Sequence, residues 1–169
     1  MAYYDKLIKL YGRVYSRPTL VSFMKAVNFG SVWFAIACCL TVGVSLSIDK
    51  KITEVLGLLL AILIPLLVIS LVSKFFSFSR PYEIIDIEPF IWLREERRDG
   101  GAFPSRHVFF AWLVGVIMIP YTLTLGVSVM LTGILLSVNR VALGLHFPKD
   151  VIAGGIIGIA SGVIGTLVL

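Results

Sequence analysis

Charge is scarce in this sequence. Asp, Glu, Lys and Arg make up 15% of 169 residues, hydrophobic residues make up 58%, and the mean hydropathy is +0.97. A water-soluble domain of this length needs more polar surface, so composition points to an integral membrane protein. Cysteine is limited to the neighbours Cys38 and Cys39, which excludes a disulfide framework and leaves small apolar filler as their role. No cleavable signal peptide is evident, because the first apolar run begins too late and lacks the expected flanks. No carboxylate cluster suited to magnesium stands out, and histidine occurs only twice, as His107 and His146. The net charge of +5 is more simply explained by lipid headgroups or topology signals than by nucleic acid.

What the chain has in quantity is uncharged length. Residues 29–48, 55–73, 108–139 and 151–169 are runs of 20, 19, 32 and 19 residues without a charge. A helix needs about 20 apolar residues to cross the hydrocarbon core. The longest run carries Pro120 near its middle and reads as two short helices. The expected fold is an all-α membrane bundle of about five crossings, forming one domain over residues 1–169.

Residues 1–18 precede the first crossing. Tyr3, Tyr4, Leu7, Ile8, Tyr11, Val14 and Tyr15 form one helical face, with Lys6, Lys9 and Arg13 opposite. This pattern suits an interfacial amphipathic helix ended near Pro18, with residues 19–28 either extending the first crossing or forming a short oblique helix. A polar turn at 47–54 joins crossings one and two. Residues 74–106 form the only long hydrophilic loop, within which "REERRD" (94–99) reads as solvated. Crossing three is expected to start near Pro104, crossing four to span about 121–140, and crossing five to run from Pro148 to the end. Gly154, Gly158 and Gly162 suit close helix packing, with no chemistry assigned to them.

With that threading, three polar clusters meet at one membrane face, which carries 13 of the 15 Lys and Arg. Lys74, Arg80, Arg106, Arg140, His107, His146 and Asp150 gather there. Ionisable groups beside hydrocarbon are costly and point to function, although a single Lys or Arg at a helix end also serves as an interfacial anchor. Several cations beside two histidines suit a multiply charged oxyanion such as phosphate. Asp150, four residues after His146, is spaced to hold one ring nitrogen while the other attacks.

The segments "KFFSFSRP", "PSRH" and "NRVALGLHFPKD" resemble the three signatures of the type 2 phosphatidic acid phosphatase superfamily over about residues 70–165. The third fits in Arg140, His146 and Asp150 at the family spacing. Three positions depart from the pattern. Five residues rather than six separate Lys74 from Arg80, so their pairing requires the intervening chain to leave the helix. Arg106 replaces a glycine, and Asn139, still a hydrogen-bond donor, replaces a serine. The resemblance implies cleavage through a phosphohistidine, with His146 as nucleophile, Asp150 orienting it, and His107 as acid and then base. It also implies phosphoryl binding by Lys74, Arg80, Ser105, Arg106 and Arg140, with no metal and no cofactor.

The expected partners are the lipid bilayer and a membrane lipid phosphate, with no nucleic acid. Phosphatidic acid, phosphatidylglycerol phosphate and polyprenyl diphosphate all fit, and Arg106 favours an extra phosphate. A non-catalytic lipid-binding or scaffold protein is the alternative. A haem protein ligated by His107 and His146 is opposed by the cations and Asp150 around them. Five Lys and Arg before the first crossing, against two in the first turn, place the active-site face in the cytoplasm by the positive-inside rule.

Overall fold

The computed structural model describes residues 2–76, 78–85 and 101–168. Seven helices are found among them: α1 (Ala2–Tyr15), α2 (Pro18–Ile48), α3 (Ile52–Phe75), α4 (Pro81–Ile84), α5 (Arg106–Met118), α6 (Leu123–Ala142) and α7 (Pro148–Val168). The protein is an all-α membrane bundle. Four of the helices, α2, α3, α6 and α7, are long and apolar enough to cross a bilayer. Their outer faces expose Leu59, Leu63, Leu67, Leu131 and Ile156, which suits contact with lipid rather than water.

The expected third crossing is the short helix α5. At 13 residues, α5 is only about 20 Å long, short of a core about 30 Å thick. It is the buried post of the bundle, touching α2, α3, α6 and α7. Val108, Phe109, Leu113, Val114, Ile117 and Met118 are almost wholly enclosed. The glycine spacing of α7 explains its close approach to this post. A Cβ at Gly154 would lie 2.6 Å from the Ser105 carbonyl oxygen, and one at Gly158 would lie 2.5 Å from that of Phe109. Without a hydrophobic driving force in lipid, such close backbone contact is a principal source of helix association.

Proline marks helix starts. Pro18 and Pro148 open α2 and α7, and α1 already ends at Tyr15. Residues 19–28 prove to be part of α2, which runs unbroken for 31 residues. Pro104 does not enter the first turn of α5: it precedes the N-cap Ser105. Within the long hydrophilic loop, residues 86–100, including the expected solvated stretch at 94–99, lie outside the described residues. The turn at Asp49–Lys51 lies at the far end, where Tyr121 senses the charges of Glu54 and Lys51.

Candidate active site

The three polar segments are stitched together by backbone hydrogen bonds. The Ala102 N–H donates to the Phe78 carbonyl at 3.0 Å, tying the second segment to the first. Tyr82 N–H donates to Gly144 at 3.3 Å, tying the first to the third. Ser105 N–H donates to Asp150 at 3.0 Å, tying the second to the third. The expected convergence is present.

His146 sits in the turn between α6 and α7. Gly144, at φ 70°, supplies the left-handed step that ends α6. The N–H groups of Leu145 and His146 then return to the Arg140 carbonyl at 3.0 and 3.3 Å. Asp150 occupies the first turn of α7. Its Oδ2 accepts the Phe147 N–H at 2.9 Å and lies 3.7 Å from His146 Nδ1, longer than a direct hydrogen bond. Both residues are buried, Asp150 completely.

The local electrostatics favour a neutral imidazole. Burial is the largest effect and pulls the His146 pKa below its usual value. Arg140 and Arg80, both close enough to be felt, push in the same direction, and Asp150 opposes them. Arg140 is buried, and Arg80 is half-buried at the start of α4, where its N–H donates to Glu83 at 3.0 Å. Ser105 is fully buried, and its hydroxyl has no hydrogen-bond partner, which is costly in an enclosed setting. Two guanidinium groups, a hydroxyl and one carboxylate leave a net positive, hydrogen-bonding site suited to an oxyanion.

The remaining candidates are placed less centrally. His107 is half-buried in the first turn of α5, two residues after Ser105. Arg106 is exposed there, and Lys74 is exposed in the last turn of α3. The helix stops at Phe75, and the described residues before Arg80 are not helical, so the chain leaves the helix where the Lys74–Arg80 spacing requires it. Asn139 is a donor, as expected: its Nδ2 donates to the Met24 carbonyl of α2 at 2.6 Å, bracing α6 against the first crossing. Sequence reasoning missed Lys149, whose Nζ stands 4.7 Å from the Phe78 ring centre. Its position between His146 and Asp150 was the available signal. Among the described residues, no three His, Cys, Asp or Glu side chains gather as metal ligands would.

The pattern of the PAP2 superfamily matches residues 54–169. The chain belongs to the PAP2 superfamily. Two solved structures share its fold. The PAP2-type phosphatidylglycerolphosphate phosphatase from Bacillus subtilis aligns with a TM-score of 0.72 at 18% identity, over 97% of this chain and 84% of that one. LpxE from Aquifex aeolicus aligns with a TM-score of 0.64 at 23% identity, over 94% and 93%. No curated protein matches the chain. The PAP2 match spans α3 through α7 and all three polar segments, whereas α1 and α2 precede it.

Proposed function

We propose that this protein is a membrane lipid phosphatase that hydrolyses a phosphomonoester or diphosphate through a phosphohistidine on His146. The observation carrying this reading is a buried imidazole whose Nδ1 lies 3.7 Å from the Asp150 carboxylate, with Arg140 and Arg80 near enough to disfavour its charged form. Nδ1 faces Asp150, so the proton belongs on Nδ1 and the lone pair on Nε2. Nε2 attacks phosphorus while the bond to the leaving oxygen breaks, and His107 donates a proton to that oxygen. Water then attacks the phosphohistidine, giving its proton to His107, and the P–N bond breaks to release phosphate. Arg80, Arg140 and the Ser105 hydroxyl hold the phosphoryl oxygens, with Lys74 and Arg106 at the rim. Substrate binding shortens the 3.7 Å His146–Asp150 separation to a hydrogen bond, as catalytic contacts often tighten on binding.

A lipid substrate is supported by what lies beneath the site. An apolar groove of about 410 Å³ runs between α3 and α7, lined by Ala61, Pro65, Ile69, Phe109, Ile157 and Ser161. Stepping back along α7 from Ser161 and Ile157 at helical spacing leads to Gly154 and then Asp150. Phosphate therefore binds at the membrane surface while a hydrocarbon tail occupies the groove below. Phosphatidylglycerol phosphate, phosphatidic acid and a polyprenyl diphosphate are the substrates to compare, and the basic N-terminal segment supports a site on the cytoplasmic face.

The deciding experiment is phosphate release from these lipids by purified protein in mixed micelles, with and without excess chelator. Turnover is expected to persist in chelator and disappear in His146→Ala. Absence of turnover on every lipid phosphate, or full activity in His146→Ala, refutes the reading.

A further inference from the structure

The amphipathic stripe of α1 is only partly available to lipid. Its centre, Leu7, Tyr11 and Val14, is buried against the protein, while Tyr3, Tyr4, Ile8 and Leu10 stay exposed along its edges. Leu7 and Tyr11 pack with Tyr82, Ile85 and Phe147, and Leu145 lies against them. Val14 packs with Leu143 and Val21. The Tyr15 hydroxyl donates to the Leu143 carbonyl at 3.0 Å. Leu143, Leu145 and Phe147 are alternate residues of the short turn that carries His146.

That turn is held from several directions. Arg140 receives its inner N–H groups, and the Gly144 carbonyl receives the Tyr82 N–H. The Leu143 carbonyl is held by Tyr15, which comes from a helix outside the segment that matches the superfamily. Burial pushes the Tyr15 hydroxyl up to about 12, so it remains a donor throughout the neutral range.

We propose that Tyr15 is a positioning residue for His146, and that α1 clamps the 143–147 turn so that the imidazole faces the phosphate. The inference rests on the phosphohistidine reading. A hydrogen bond to the turn and an apolar seat under Phe147 fix the backbone on both sides of His146, and small errors in nucleophile placement have a large effect on rate. The clamp holds catalytic geometry rather than substrate, so its loss falls on kcat.

The test uses the full chain in mixed micelles. Tyr15→Phe keeps the ring and removes the donor; Leu7→Ala loosens the seat independently; Arg13→Ala, on the exposed face, is the control. Rates are normalised to protein that remains folded and monodisperse. Tyr15→Phe and Leu7→Ala are each expected to lower kcat about tenfold with KM changed less than twofold, while Arg13→Ala changes neither. Histidine titration by NMR provides a second readout. Asp150, Arg140 and Arg80, the charged groups felt by His146, are unaltered in these variants. Water entering a loosened turn therefore moves the His146 titration up towards the ordinary value near 6.5. Unchanged kcat with an unchanged titration overturns the proposal even where thermal stability falls. A raised KM with intact kcat also overturns it, by placing α1 in substrate binding. If the wild type releases no phosphate from any lipid, the phosphatase reading fails, while the titration still decides whether α1 holds the turn.

Discussion

The backbone N–H of Ser105 donates to the carbonyl of Asp150 at 3.0 Å, joining the start of α5 to the start of α7. Through this bond, the segment bearing Ser105 and His107 is placed against the one bearing His146 and Asp150. Gly154 makes the approach possible, because a Cβ there would meet Ser105 and Phe109 backbone atoms at 2.6 to 3.4 Å. Gly154→Ala should therefore separate the helix starts, lowering stability by about 1–3 kcal/mol and reducing kcat together with it. Gly43→Ala in α2, where a Cβ meets nothing within 4 Å, is the matched control and should be neutral or mildly stabilising. Thermal unfolding and turnover of both variants test the relationship; a harmless Gly154→Ala would contradict it.

Asp150→Asn separates charge from shape. The amide oxygen can still accept the Phe147 N–H, so the first turn of α7 should survive. The amide offers His146 a weaker acceptor and gives no counter-charge to the imidazolium or to the nearby arginines. A fall in kcat of roughly 100-fold, about 2.7 kcal/mol of transition-state stabilisation, is expected with the fold retained. Circular dichroism beside single-turnover kinetics provides the check. Activity within a few-fold of wild type would remove Asp150 as the orienting group.

Burial and two neighbouring guanidinium groups hold the His146 pKa below 6.5. Protonation removes the attacking lone pair, so the acid limb of kcat/KM assigned to His146 should lie below pH 6.5. The stability effect follows the same direction. An unfolded chain takes up a proton near 6.5 while the folded chain resists it, so stability is full above that value. It declines as pH falls from the unfolded towards the folded pKa. A pH profile of kcat/KM and a chemical-denaturation series across the same window test both parts. An acid limb above 6.5 assigned to this residue would contradict the geometry.

What could be read from sequence divides along physical lines. His146 and Asp150 were legible because four-residue spacing across a helix start fixes their proximity, and the polar clusters were legible because apolar runs dictate which face each loop occupies. The shortness of α5 was legible from Pro120, but its enclosure was not: apolar length shows that a segment avoids water without showing whether lipid or protein covers it. Tyr15 and Tyr82 were equally hidden, since a hydroxyl or an N–H reaching a carbonyl more than sixty residues away leaves no local pattern. For Asn139 the donor chemistry was legible and the partner, the Met24 carbonyl, was not.

Arg106 is the first residue of α5 and is exposed, beside a buried Ser105. From there a guanidinium can meet charge that projects outward from the bound phosphoryl group. Arg106→Gly should weaken kcat/KM on a prenyl diphosphate about tenfold more than on a lipid monophosphate, a difference of roughly 1.4 kcal/mol. Equal losses on the two substrates would leave Arg106 as an interfacial anchor.

The groove between α3 and α7 yields the last expected outcome. From Gly57 to Ile69 its α3 wall spans about 18 Å, over half the thickness of a hydrocarbon core near 30 Å. One extended alkyl chain fits that length, and its upper end lies one helical turn below Ser73 and beside Phe109. Ser161 lines the groove well below Asp150, so a bulky side chain there obstructs a long tail without touching phosphate. Ser161→Phe should lower kcat/KM on a long-chain lipid phosphate about tenfold or more and leave a six-carbon analogue within twofold. A photoreactive group near the end of a long chain should label α3 and α7 in the wild type and lose that labelling in the variant. Equal effects on long and short chains would indicate distortion of the bundle, and no effect on either would show that the tail lies elsewhere. Because phosphate chemistry is tested by the short analogue alone, the groove can fail while the catalytic assignment stands.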